Sequence, residues 1–376
     1  MLNPKYKFKE GQLDPQFCRE NFSKISDLID SGITFTTIAM TGVGVSFLLR
    51  FLAMKYPAYF IFVDMYTLAN LTKEDFYKAL LKEMGQETEK ENEQELLDLC
   101  RKRLEELVRK HNKIVIVFNR FDQLEKEFDK NFFANLRTLR NVDPHRIVVI
   151  LTSIKPLYEI APEAISGTNL NLVSKYIYLK PYSSEDMEKL LKIKLLTPAE
   201  RKRQDTLLKL SGGHSQLYQI LAKSEKGENL LLDHFVKLQM REIYESLNYR
   251  QKKQLQKIAS GKVSDNIDEY LSNVGMVIKK NRGYEIFSPL LSEYIQSASP
   301  LKLPVKEAKL FRLLRHNQGV LVSKENIFNA VWEDSSEVSD WALDALIYRL
   351  RKNPGFISSG YGIESHKKLG YMLVKD

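Results

Sequence analysis

The chain has little cysteine and no long apolar run, and both absences narrow what it can be. Among its 376 residues only Cys18 and Cys100 are cysteines. Their placement suits neither a metal site nor a disulfide framework, so both read as buried inert thiols. No apolar stretch reaches the roughly 18 residues that a membrane-spanning helix requires, and the opening "MLNPKYKFKEGQLDPQF" lacks the apolar centre of a secretory signal. A cytoplasmic address with no membrane partner is the expectation. Low-complexity tracts and short-period repeats are missing too. The basic surplus, 57 Lys plus Arg against 48 Asp plus Glu for a net charge of +9, sits in no single tail. It fits an acidic partner, but charge alone does not choose among nucleic acid, membrane surface and protein.

What is present is globular. Hydrophobic residues make up 43% and charged residues 28%, enough apolar content for every domain to bury a core, and the length suits two or three domains. The first half alternates strand and helix patterns, which predicts a parallel sheet with helices on both faces. Strands are expected at Phe35 to Met40, Tyr59 to Asp64, Lys113 to Asn119, Arg146 to Thr152 and Tyr176 to Leu179. In "EQELLDLCRKRLEELVRKH" the residues Leu96, Leu97, Cys100, Leu104, Leu107 and Val108 form one apolar helix face. From Ser183 the pattern turns helical, ending in "KLSGGHSQLYQILAK", and reads as a small helical lid. Residues 229–298 read as helices, a hairpin turning at Asn281-Arg282-Gly283 and a closing helix, a winged-helix outline. The small-residue and proline break "SASPLKLP" separates it from a last unit. The predicted division is 1–182, 183–228, 229–298 and 299–376: an α/β domain on a parallel sheet, a helical lid, a winged-helix domain and a C-terminal domain.

The stretch "TFTTIAMTGVGVSFLLRFL", Thr34 to Leu52, runs from strand through glycines into an apolar helix, as a phosphate-binding loop does. In G-x-x-x-x-G-K-[ST] the lysine reaches the β- and γ-phosphates, backbone amides cradle the phosphates and the hydroxyl holds magnesium. Here Ala39 stands for the first glycine and Gly44 for the second, with Gly42 between them; Val45 replaces the lysine and Ser46 keeps the hydroxyl. Loop amides, the positive end of the next helix and Ser46 suffice for a weak anion site. The other reading keeps the loop only as a tight turn, with Val45 packed as core. Phe47, Leu48, Leu49, Phe51 and Leu52 are expected in the core, and Asp64 as a cap of the second strand or an orienter of magnesium-bound water.

In their order, these motifs make residues from about 17 to 225 resemble a P-loop ATPase of the AAA+/STAND group. "CRENFSKISDLI" resembles the segment that precedes the family's first strand, Arg19 and Glu20 matching its arginine-glutamate pair. "KIVIVFNRFDQL" occupies the Walker B position, "RIVVILTSI" the sensor-1 strand ending in Thr152 and Ser153, and "GGHSQL" the lid motif with His214, where Ser215 replaces a proline. The resemblance implies a nucleotide site at Arg19, Gly42, Gly44, Val45, Ser46, Asn119, Asp122, Thr152 and His214, with Ser46 as a weak Mg2+ ligand. A lysine would supply the charge that stabilises transferring phosphate, and Val45 supplies none. Asn119 is neutral where Walker B chemistry wants an aspartate, and Asp122 lies three residues on. The implied cofactor is ATP or ADP with Mg2+, held weakly or not at all, and hydrolysis is expected to be slow or absent.

The last unit, "LPVKEAKLFRLLRHNQGV…" to the C-terminus, resembles the OmpR/PhoB-type winged helix over nearly its whole length. Leu303 with Glu307, Val331 with Trp332, Val338-Ser339-Asp340 continuing to Asp344, Ile347 and Leu350-Arg351, and Gly370-Tyr371-Met372-Leu373 carry the likeness. Leu343, Ile347 and Leu350 face the core at helical spacing, which turns Trp341, Ala345, Tyr348 and Lys352 outward towards a major groove. Arg349, Arg351 and Lys352 are expected to reach phosphates, with His366, Lys367 and Lys368 at the wing tip. The family often has polar groups where Trp341 and Leu346 stand. The leading expectation is a transcription regulator that binds double-stranded DNA, with homo-oligomerisation left open. Three alternatives stand beside it: an origin- or plasmid-binding initiator, an ATPase whose missing cation comes from Arg50 or Arg120, and a pseudo-ATPase scaffold whose winged helices hold proteins.

Overall fold

The computed structural model describes residues 3–127, 129–165, 172, 175–194, 196–224, 230–262, 266–280, 283–298, 303–332, 339–353, 356, 361–366 and 369–375. They fall into two compact units, Met1–Leu291 and Ser292–Asp376. The first is built on a five-stranded parallel sheet of β1 (Phe35–Ala39), β2 (Tyr59–Asp64), β3 (Ile114–Asn119), β4 (Ile147–Ser153) and β5 (Tyr176–Leu179), in the order β2-β3-β4-β1-β5. Every residue of β1 and of β4 is buried. These strands lie inside a sheet covered on both faces, so β4 reads as an apolar run from Ile147 to Leu151, while β1 buries Thr36 and Thr37 together with Phe35, Ile38 and Ala39.

Helices α1 (Arg19–Asp30), α2 (Val45–Lys55), α3 (Lys73–Glu83), α4 (Glu93–Lys110) and α5 (Lys130–Arg140) flank the sheet. Their starts are local chemistry: the side chains of Thr72, Asn92 and Asp129 accept from free amides of the first turns of α3, α4 and α5. Leu96, Leu97, Cys100, Leu104 and Leu107 are buried along α4, with Val108 packed against them. Phe76 of α3 lies 4.8 Å from the Phe118 ring and 5.2 Å from that of Phe132, an aromatic centre that joins sheet to helices.

After β5 come α6 (Ser184–Lys192), α7 (Pro198–Ser211) and α8 (Ser215–Lys223). A capping box of Thr197 and Glu200, with Pro198 at the first position, starts α7. Gly212 and Gly213 end it with φ of 58° and 83°. At Gly213 a Cβ would come within 2.0 Å of the Tyr182 carbonyl oxygen, so the turn needs glycine to lie this close to the chain leaving the sheet. Next follow α9 (His234–Glu245), α10 (Tyr249–Ala259), α11 (Glu269–Asn273), the antiparallel pair β6 (Val277–Lys280) and β7 (Gly283–Ile286), and α12 (Pro289–Ala298). This segment is packed on the sheet and lid: the Tyr270 hydroxyl donates to the Ile154 carbonyl at 2.6 Å and Ser288 Oγ to that of Leu210 at 2.7 Å. Asn281 and Arg282, where the hairpin is expected to turn, lie outside the described residues.

The second unit holds α13 (Val305–His316), β8 (Val322–Ser323), α14 (Lys324–Val331), α15 (Asp340–Lys352), β9 (Tyr361–His366) and β10 (Gly370–Lys375), the strands forming an antiparallel sheet in the order β8-β10-β9. Leu310, Leu314, Ile327, Leu343, Ile347, Leu350 and Leu373 meet in its core. No helix among the described residues is long and apolar enough to cross a membrane.

Candidate functional site: a lid-pinned phosphate loop and an exposed helix face

At the carboxyl ends of β1, β3 and β4, where parallel sheets place ligands, a cavity of about 520 Å³ is lined by Gly42, Gly44, Val45, Ser46, Asn119, Asp122 and Thr152, among others. The fold thus brings these expected residues together around the loop. It does not bring Arg19, which stands exposed at the start of α1, or His214, which is fully buried beneath the loop; neither lines the cavity. Phe47 departs from the core expectation: it is half-buried and lines the cavity, while Leu48, Leu49, Phe51 and Leu52 are buried. The difference follows from the first turn of α2, which faces the cavity before the helix enters the core.

The loop is held by its carbonyls. His214 Nδ1 accepts from the Leu217 amide at 3.2 Å, so the proton sits on Nε2, which donates to the Thr41 carbonyl at 2.8 Å. The Gln216 amide donates to the Gly42 carbonyl at 3.1 Å, and the Tyr182 hydroxyl to the Gly44 carbonyl at 2.6 Å. Thr41 Oγ1 donates to Glu242 of α9 at 2.9 Å. Gly42 and Gly44 have φ of 73° and 115°. A Cβ on Gly42 would lie 2.1 Å from Gln216 Oε1, and one on Gly44 2.6 Å from the Tyr182 ring. Burial lowers the His214 pKa to about 4, which keeps the imidazole neutral and its donor fixed.

Across the cavity the network centres on Asp64. Asp64 and Asn119 are register partners at the ends of β2 and β3, and Asn119 Nδ2 donates to Asp64 at 2.9 Å while its Oδ1 accepts from Thr152 at 3.1 Å. Arg120 Nε donates to Asp64 at 3.0 Å, and the guanidinium lies 3.6 Å from the centre of the Tyr66 ring. The residue has a φ of 56°, outside the usual range for a side chain this large. Arg120 is the one cation among the described residues lining the cavity, beside the carboxyls of Asp122 and Glu242. Burial pushes the Asp122 pKa up. Arg50 points away, 3.6 Å from Glu10. Sequence reading did not foresee the central place of Asp64 or the parts of Tyr182, Gln216 and Glu242. The available signal was a polar residue closing each of two adjacent apolar strands.

In the second unit Trp341, Tyr348, Arg349, Arg351 and Lys352 are exposed and Ala345 is half-buried on α15. Leu346 is 1% exposed and belongs to the core, so it takes no place on the outward face and removes no polar contact from it. Arg351 donates to the Ile363 carbonyl at 2.6 Å and to Ser365 Oγ at 2.8 Å, tying α15 to β9. Arg349 lies 3.8 Å from the buried Glu307. His366 is half-buried, 3.8 Å from Glu364. Lys367, Lys368 and Val338 lie outside the described residues.

Two family models match the chain: the AAA domain over residues 34–160 and "transcriptional regulatory protein, C terminal" over residues 298–373. The chain joins a AAA-type P-loop domain to an OmpR/PhoB-type winged helix. The AAA domain carries the lid-pinned loop and the winged helix carries the exposed face of α15. No curated protein matches the chain. Similar solved structures include the Walker-type ATPase PABY2304 of Pyrococcus abyssi, 16% identical over 74% of this chain and 96% of that one with a TM-score of 0.45. The Aeropyrum pernix ORC1 protein in complex with DNA is 10% identical over 95% and 88%, with a TM-score of 0.42. The Thermotoga maritima RuvB Holliday junction branch migration motor is 13% identical over 77% and 97%, with a TM-score of 0.35.

Proposed function

We propose that the chain is a cytoplasmic DNA-binding transcription regulator whose AAA domain turns over little or no ATP. The observation that carries the DNA reading is the face of α15: Trp341 is 78% exposed and Tyr348 62% exposed in a helix whose opposite side is core. Aromatic residues this exposed have no packing role, and the helix occupies the place where winged helices enter a major groove. Lys352, His366 and the two lysines that follow it in sequence, Lys367 and Lys368, are the groups assigned to phosphate.

The AAA domain is read as a regulatory body rather than a motor. Its loop amides, the first turn of α2 and the Ser46 hydroxyl fit an anion such as the phosphates of ATP or ADP, with Ser46 and Asp122 towards Mg2+. The catalytic set does not fit: Val45 has no charge, Asn119 is a neutral partner of Asp64, and Arg120 is paired with the same carboxylate. The functional division follows 1–182, 183–228, 229–298 and 299–376, with the third segment serving as packing for the AAA domain. Two assays on the full chain test this reading. Phosphate release with ATP and Mg2+ should stay well under about 1 per second, the lower end of ordinary enzyme rates, and duplex DNA should bind with salt-sensitive affinity. Turnover in the ordinary range would make the chain an ATPase with a displaced cation.

A further inference from the structure

Of the polar groups of α15, Asp340, Asp344 and Arg351 are engaged within the domain, and Arg349 is held only loosely, its side chain 61% exposed. Asp340 pairs with Lys324 at 2.8 Å, Asp344 accepts from the Tyr371 hydroxyl, Arg351 is bound to β9, and Arg349 leans to Glu307, whose side chain is only 7% exposed. The outward stripe at i, i+4, i+7 and i+11 is Trp341, Ala345, Tyr348 and Lys352, Ala345 half-buried and the other three exposed. Hydrogen-bonded readout of guanine or adenine leans on Arg, Lys, Asn or Gln in forked geometry, and the stripe offers only Lys352 at its end. Its other members are apolar surface. The one apolar group that a base presents in the major groove is the C5-methyl of thymine.

We propose that this winged helix selects its DNA through thymine methyl groups, packed against Trp341, Ala345 and Tyr348, with Lys352 placed on phosphate. The inference rests on the DNA-binding reading and specifies its ligand as thymine-bearing major groove. Burying a methyl group contributes about a fourfold gain in affinity, so a site with two or three such contacts gains roughly tenfold or more.

The test uses the full chain and duplexes that it enriches from a random pool. In the enriched duplex every thymine is replaced by deoxyuridine, which keeps all base-pairing groups and removes only the methyls. Affinity should fall roughly tenfold or more, and the ratio between the two duplexes should drop towards one in Trp341→Ala and in Tyr348→Ala. Both side chains are exposed, so neither truncation opens the core, and thermal unfolding of each variant checks this. Equal affinity for the thymine and deoxyuridine duplexes overturns the methyl readout and leaves DNA binding standing. Retention of duplex DNA without enrichment of any sequence overturns the methyl readout and leaves DNA binding standing, whereas failure to retain any duplex at low salt overturns both.

Discussion

The buried imidazole of His214 donates to the carbonyl of Thr41 at 2.8 Å, fixing the phosphate loop from beneath. Because burial lowers its pKa from 6.5 to about 4, the unfolded chain binds this proton more readily than the folded one. The associated stability is complete above about pH 6.5 and is lost as pH falls towards 4, on the order of 3 kcal/mol in all. His214→Asn keeps a cap for the Leu217 amide but does not reach Thr41. Denaturant midpoints at pH 7.5 and 5 should therefore differ less in this variant than in the parent.

Restoring a Walker B carboxylate should harm this protein. Asn119→Asp removes the donor that meets Asp64 at 2.9 Å and sets two carboxylates side by side. The variant should lose roughly 1–3 kcal/mol of stability and recover part of it at low pH, where one carboxyl is protonated. Thermal melts at pH 7 and 5 check the sign, and a variant as stable as the parent at pH 7 contradicts the network.

Gly44→Ala meets both a φ of 115° and the Tyr182 ring, 2.6 Å from the added carbon. The expected loss is roughly 2–4 kcal/mol. Tyr182→Phe removes only the hydroxyl bond to the Gly44 carbonyl and should cost about 1 kcal/mol. Urea titrations distinguish the two.

Arg351 and Lys352 are neighbours with different expected phenotypes. Arg351→Ala frees the β9 contacts and should destabilise the winged helix by about 1–3 kcal/mol. Lys352 has no hydrogen bond or ion pair among the described residues, so Lys352→Ala should leave stability unchanged and reduce the DNA salt slope by about 1. Lys367→Ala with Lys368→Ala should reduce it by up to about 2. Melting curves and salt titrations on each variant separate the roles.

Strand order aside, much of the fold was legible. Apolar runs such as Ile114–Asn119 and the stripe of α4 are periodic signals that survive into the structure, because burial and not local propensity sets them. The site was harder to read. Gly42 and Gly44 announce a loop, but nothing near them in sequence shows that Tyr182 and Gln216 hold it, since those contacts span more than a hundred residues. The buried arc of α15 is wider than the Leu343, Ile347 and Leu350 line read from the sequence. A helix embedded between the sheet and neighbouring helices buries a wider arc than an i, i+4, i+7 line, so Leu346 joins Leu343, Ile347 and Leu350 in the core.

The most direct measurement is the affinity of the full chain for duplex DNA across a range of salt concentrations. Phosphate contacts by Lys352, Lys367 and Lys368 predict a log–log slope of roughly −3, about −0.9 for each phosphate neutralised, and a shallower slope in Lys352→Ala. Absent affinity, or affinity indifferent to salt, would contradict the account of this chain as a DNA-binding regulator.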